Sequence, residues 1–188
     1  MLRITIPARD SIELWDEKNQ RFLSKPPIKE TTLQLEHSLV SVSKWEQKWH
    51  KPFLSDKSKT DEEVKDYVRC MTLTQNVDPA VYDYLTSENY NDIDAYIENP
   101  MTATWFSESK KKGAIEHEEV ITNEIVYYWM ISYGIPFECQ KWHFNHLLTL
   151  IKVCGVKNEP PEKMSKEEIM ARNARLNAER RARMNTKG

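Results

Sequence analysis

Leu2, Ile4 and Ile6 alternate with polar residues before Pro7, and a second alternating piece, Ile12-Glu13-Leu14-Trp15, is separated from Phe22-Leu23 by the polar Asp16 to Arg21. A period of two sends successive side chains to opposite faces of an extended chain, so this pattern predicts a short strand and then a hairpin. Lys25-Pro26-Pro27 breaks the alternation and marks a linker. Downstream the period lengthens. Leu35, Leu39, Val42, Trp45 and Trp49 recur every three or four residues and predict a helix over residues 35–49.

Thr60-Asp61-Glu62-Glu63 is a capping box: the threonine hydroxyl can accept from the Glu63 backbone N–H while that glutamate reaches back. Val64, Tyr67, Val68 and Met71 supply the apolar stripe of the helix it opens. Asp78-Pro79 is a second start signal, followed by Val81, Tyr82 and Leu85, and Ile93, Tyr96 and Ile97 predict a short helix ending before Asn99-Pro100. The weakly periodic stretch from Met101 to His117, with Lys110-Lys111-Lys112-Gly113, reads as an exposed loop. From Val120 to Tyr133 a dense apolar run places Ile121, Ile125, Tyr128 and Trp129 on one face, and Gly134 supplies a helix stop. Pro136 opens another helix, with Phe144, Leu147, Leu148, Ile151 and Cys154 inward until Gly155. Two helices so closely joined are expected to run antiparallel and form the heart of the core. Past Pro160-Pro161, Ser165 and Glu168 form a capping box, with Met164 and Ile169 as its hydrophobic staple, and open a terminal helix poor in apolar positions.

The expectation is therefore a mainly α fold. It consists of a short β element and linker over 1–28, a helical bundle over 29–158, and a protruding basic helix over 159–188. The chain's 188 residues suit one core rather than two. Its 27 Lys and Arg against 29 Asp and Glu predict no chain-wide attraction to nucleic acid or anionic lipid. The charge is polarised, however. Residues 163–188 hold eight Lys or Arg and three Glu, a local +5 that leaves −7 on residues 1–162. The N-terminus has no secretory pattern, the longest apolar run is far short of a membrane span, and three cysteines fit a reduced, cytoplasmic setting.

Chemistry is sparse. Cys139, His143, His146 and Cys154 include zinc-donor types, but a spacing of seven along one helix separates Cys139 from His146 by about 10 Å, too far for one ion. Cys139 and His143 lack an orienting acid, and no phosphate loop, nucleophile elbow or metalloprotease motif is present. The reading is of a non-enzymatic protein with no metal and no cofactor. Trp45, Trp49, Trp129 and Trp142 read as core. Two places are candidates for partner contact: Trp105 and Phe106 in the loop, and Ile169, Arg172, Arg175, Leu176, Arg180, Arg181 and Arg183 on the terminal helix, whose competing reading is a solvated basic tail.

Three segments carry a resemblance: Thr32-Leu33-Gln34-Leu35-Glu36-His37-Ser38-Leu39-Val40, Pro136-Phe137-Glu138-Cys139-Gln140-Lys141-Trp142-His143, and Leu147-Leu148-Thr149-Leu150-Ile151-Lys152-Val153-Cys154. With the ending from Pro160 to Gly188, the chain resembles the tail assembly chaperones or tail structural proteins of long-tailed bacteriophages. The resemblance carries over no catalytic residue. It implies binding of the tape measure protein and tail tube subunits in the host cytoplasm, with self-association open. The alternatives are a structural component kept in the virion, or nucleic-acid binding through the terminal helix.

Overall fold

The first 35 residues form four five-residue strands: β1 (Leu2–Ile6), β2 (Ile12–Asp16), β3 (Arg21–Lys25) and β4 (Thr31–Leu35). A computed structural model describes residues 1–17, 21–55, 57–104, 106, 120–158 and 166–184. The hairpin β2–β3 forms as the alternation predicts, with Leu14 opposite Leu23 and Trp15 opposite Phe22. β1 pairs antiparallel with β4, placing Leu2 opposite Leu35 and Ile4 opposite Leu33. That register buries Ile4, Ile6, Leu33 and Leu35 on one face and leaves Thr5 and Thr32 to share a hydroxyl hydrogen bond of 3.0 Å on the other. Each buried Ile or Leu contributes about 1.5–3 kcal/mol.

The expectation of a mainly α-helical bundle is corrected to a mixed α/β fold, with two two-stranded antiparallel sheets beside the helices. Its source is identifiable. Leu35, Leu39 and Val42 keep a helical interval by coincidence, because Leu35 ends β4 while Leu39 begins α1 (Leu39–Trp49). Between them Ser38 is the N-cap: its hydroxyl accepts from Ser41 N–H, and Ser41 returns the bond. The helix thus starts four residues later than periodicity places it.

α2 (Asp61–Met71) is capped by Thr60 and Glu63 as their spacing predicts. Its C-terminal end meets the free edge of β4, where Glu36 N–H donates to the Met71 carbonyl and Leu73 N–H to that of Gln34. The Asp78-Pro79 signal opens a 3-10 turn, Pro79–Tyr84, rather than an α-helix. α3 (Ser87–Glu98) follows, capped by Thr86 and burying Ile93 and Tyr96. α4 (Asn123–Ser132) ends near Gly134, whose φ of 64° is the left-handed conformation glycine tolerates best. After Pro136 comes a second 3-10 turn, Phe137–Lys141, and then α5 (Phe144–Asn158), which continues through Gly155. The core is not centred on α4 and α5 alone, since Leu33, Leu35, Leu39 and Met71 are buried as completely as Val126, Met130 and Leu147.

The chain divides into two compact units, Met1–Gly155 and Val156–Gly188. The second contains α6 (Lys166–Met184), a 19-residue helix. Among the described residues no helix is long and apolar enough to cross a membrane.

His37 occupies the junction of the first unit. Its carbonyl accepts from Phe144 N–H at 2.7 Å, its Nδ1 shares a hydrogen bond with the Tyr67 hydroxyl, and its ring meets those of Phe53, Tyr67, His143 and Phe144. Burial, reinforced by repulsion from His143, pulls its pKa down to about 3. The unfolded chain therefore takes up this proton first on acidification. The stabilisation is complete above the unfolded pKa of about 6.5 and is lost as pH falls toward 3, by up to about 1.4 kcal/mol per pH unit. Denaturant unfolding between pH 7 and pH 4 is expected to follow that slope, and His37→Gln, which keeps polar atoms but cannot titrate there, to reduce it by about one proton. An unchanged slope in the variant would remove His37 from the account.

Candidate protein-binding surfaces

The contact residues expected from sequence fall into three situations. Trp105 lies outside the described residues, as do Met164, Ser165 and the Lys110 to Gly113 loop. Phe106 is half-buried, with Lys152 Nζ of α5 4.4 Å from its ring centroid, so it is engaged within its own chain. α6 carries the remainder. Ile169 and Leu176 are 44% and 40% exposed, and Arg175 pairs with Glu179 one turn on. At about 100° per residue, Ile169 and Leu176 share a line on the helix, with Arg180 on one flank and Arg183 on the other. All of these side chains are exposed.

Sequence periodicity missed a second surface. Residues 125–137 contain no charged side chain. α4 turns Asn123, Val126 and Met130 inward, whereas the expected inner face of Ile121, Ile125, Tyr128 and Trp129 is at best half-buried. Tyr128 is 66% exposed, Ile131 64% and Phe137 52%. Where nearly every position is apolar the 3.6-residue period cannot select a face, and only the polar Asn123, fixed by a buried partner, gives it away. Trp15 and Phe22 form a smaller exposed pair on the hairpin, their centroids 4.8 Å apart.

Glu46 sets the position of α4. It is buried on α1, and its Oε1 accepts from Phe53 N–H at 2.7 Å. Its Oε2 accepts from both the backbone N–H and the Nδ2 of Asn123, at 2.8 and 2.6 Å. Thr122 makes no side-chain cap, so the glutamate supplies the negative charge that a helix N-terminus favours. The same residue joins α1, the chain at Phe53 and α4.

Several other polar groups make similar internal contacts. A cleft of about 350 Å³ beside Trp45 holds Lys51, Lys57, Lys59 and Glu63. Lys51 pairs with Glu63, holding that carboxyl below its usual range together with the Thr60 amide. Lys59 donates to the Phe53 carbonyl at 2.9 Å above the Phe53 ring, and desolvation lowers its pKa. Cys70 is pushed up to about 11 by burial and Asp66, so it is a poor nucleophile. Cys139 belongs to the 3-10 turn and His146 to α5, so the single helix assumed for the cysteine and histidine spacing is two elements. His143 Nε2–H donates to the Tyr96 carbonyl at 3.0 Å, which commits that nitrogen. Among the described residues, no three His, Cys, Asp or Glu side chains group as metal ligands.

No family model, curated protein or solved structure matches the chain.

Removing the Glu46 carboxylate strands three buried donors. Glu46→Ala is expected to cost about 3 kcal/mol or more, from charge-assisted hydrogen bonds of about 1.5–3 kcal/mol each and the penalty for unpaired groups. Equilibrium urea unfolding measures it, and a loss under 1 kcal/mol would contradict the assigned role.

Proposed function

We propose that this chain is a non-enzymatic assembly protein of the tail-chaperone type, holding a helical polypeptide such as a tape measure protein and delivering it to tube subunits. The observation that carries the reading is the outer face of α4 with the adjoining turn. There a stretch free of charge from 125 to 137 leaves Tyr128, Ile131 and Phe137 more than half exposed. Such aromatic and aliphatic groups remain in water at a cost that a partner's apolar stripe relieves, and aromatic anchors are the usual carriers of binding energy. A rigid helix face accepts another amphipathic helix through contacts every three or four residues, which suits a long helical client.

Glu46, Lys51, Lys59 and Glu63 are engaged in internal contacts of the first unit, which supports binding rather than turnover. Retention in the virion is the alternative role compatible with the same surface.

Co-expression with the tape measure protein provides the test. The pair is expected to co-purify and the client to gain solubility, whereas Tyr128→Lys with Ile131→Lys, both at exposed positions, abolishes capture without altering the melting temperature. Capture that survives this double change removes the α4 face from the reading. Failure of the wild-type chain to bind or solubilise the client removes the chaperone role itself.

A further inference from the structure

We propose that α6 of one copy docks on α3 of a second copy, its Ile169 and Leu176 ridge lying along the outer face of that helix with arginines against its flanking carboxylates. The contact uses surfaces other than the α4 face and stands independently of the client reading.

α6 carries a short apolar ridge among basic residues. Ile169 and Leu176 are exposed seven residues apart, and the helix as a whole carries Lys166 and five arginines against three glutamates. Its alanines and polar residues give it little apolar surface of its own, so the ridge and the charge beside it are what a partner must match.

α3 presents the matching surface. Ser87, Asn91 and Ala95 recur every four residues along its exposed side, with Glu88 and Asp92 on one flank and Asp94 and Glu98 on the other. The helix has no Lys or Arg. None of its four carboxylates enters an ion pair among the described residues. Each flank is a like-charge pair four residues apart, which disfavours a helix. Asp94 and Glu98 also lie toward the C-terminal end, where the helix dipole is already negative. Partial burial, with a smaller contribution from repulsion by Glu98, raises the Asp94 pKa. A basic helix laid along this face relieves both costs.

Size and shape agree. The 12 residues of α3 extend about 18 Å, and the rise from Ile169 to Arg183 is about 21 Å. Ile169 and Leu176 fit over the small side chains, with Arg180 and Arg183, about 4.5 Å apart along the helix, directed to the flank of Asp94 and Glu98. A nucleic acid is a poorer occupant, because its phosphates would meet Glu167 and Glu179 and leave the apolar ridge unused. Since the two surfaces differ, the contact is heterologous: each copy offers α6 and receives it on α3.

Light scattering on the purified full-length chain tests the proposal. At tens of micromolar and low salt the wild type is expected to exceed one chain in mass and to dissociate as salt rises. Arg180→Glu with Arg183→Glu, and separately Asp94→Lys with Glu98→Lys, should each yield folded monomers by circular dichroism. Mixing these two charge-swapped chains should restore association, because the glutamates at 180 and 183 of one chain then meet the lysines at 94 and 98 of the other, while the unaltered α6 meets the unaltered α3. Asp94→Asn with Glu98→Gln is the milder α3 variant, expected to weaken association at least tenfold, should the lysine pair fail to fold. A wild type that is monomeric throughout overturns the proposal, as does a mixture that stays monomeric or variants that remain associated. Wild-type chain that binds a duplex oligonucleotide without self-associating assigns α6 to nucleic acid and overturns it equally.

Discussion

The first unit depends on burying a histidine uncharged. His37 lies where β4 gives way to α1, and through it both are joined to α2 at Tyr67 and to α5 at Phe144. A protonated imidazole there would place a cation among four rings and beside His143, with little water to solvate it. Neutral, the ring packs as an aromatic on several sides and still satisfies the Tyr67 hydroxyl. Ser38 next to it caps α1, so one three-residue turn ends a strand, starts a helix and receives the Phe144 amide.

Glu46 is the second such junction and works by the opposite charge logic. Its carboxylate is buried, but three N–H donors surround it, so desolvation is offset by short charge-assisted bonds. Asn123 is thereby held at the first turn of α4, which fixes the rotation of the helix. Once Val126 and Met130 face inward from that anchor, Tyr128 and Ile131 must face outward, because residues two or five positions on from Val126 lie on the far side of the turn. A buried carboxylate on α1 thus decides which aromatic groups the protein presents.

Legibility from sequence followed how local each determinant was. The strand at Leu2–Ile6, the hairpin and the Thr60 cap of α2 could be read because alternation and capping act within a few residues. β4 could not. Its partner is 25 or more residues away, and Leu35, Leu39 and Val42 imitate a helical interval across a strand, a turn and a helix. The exposed α4 face was hidden for a related reason: its orientation is set by Glu46, 77 residues from Asn123. What the sequence did contain was a long interval without charge, a sign that some of those residues must meet something other than water. α6 was legible as a helix and as a basic segment, since both follow from composition.

The two surfaces differ in how their energy can be used. The α4 face is prearranged, anchored at one end by three hydrogen bonds and on its inner side by Val126 and Met130, so a client landing on it loses little conformational entropy in the host. Specificity there must come from shape, because an uncharged surface exerts little long-range attraction. α6 offers the reverse, few apolar atoms and many charges, so a contact made through it would vary in strength with salt. Under the proposed function, a protein that gathers copies around a long client would benefit from this separation. Weak, reversible charge contacts would then bring the copies together and let them rearrange, while a client on the α4 face would be held by contacts that ionic strength hardly touches. Were both tasks assigned to apolar faces, client and copies would compete for the same surface, and the cost of exposing it would favour aggregation over ordered assembly.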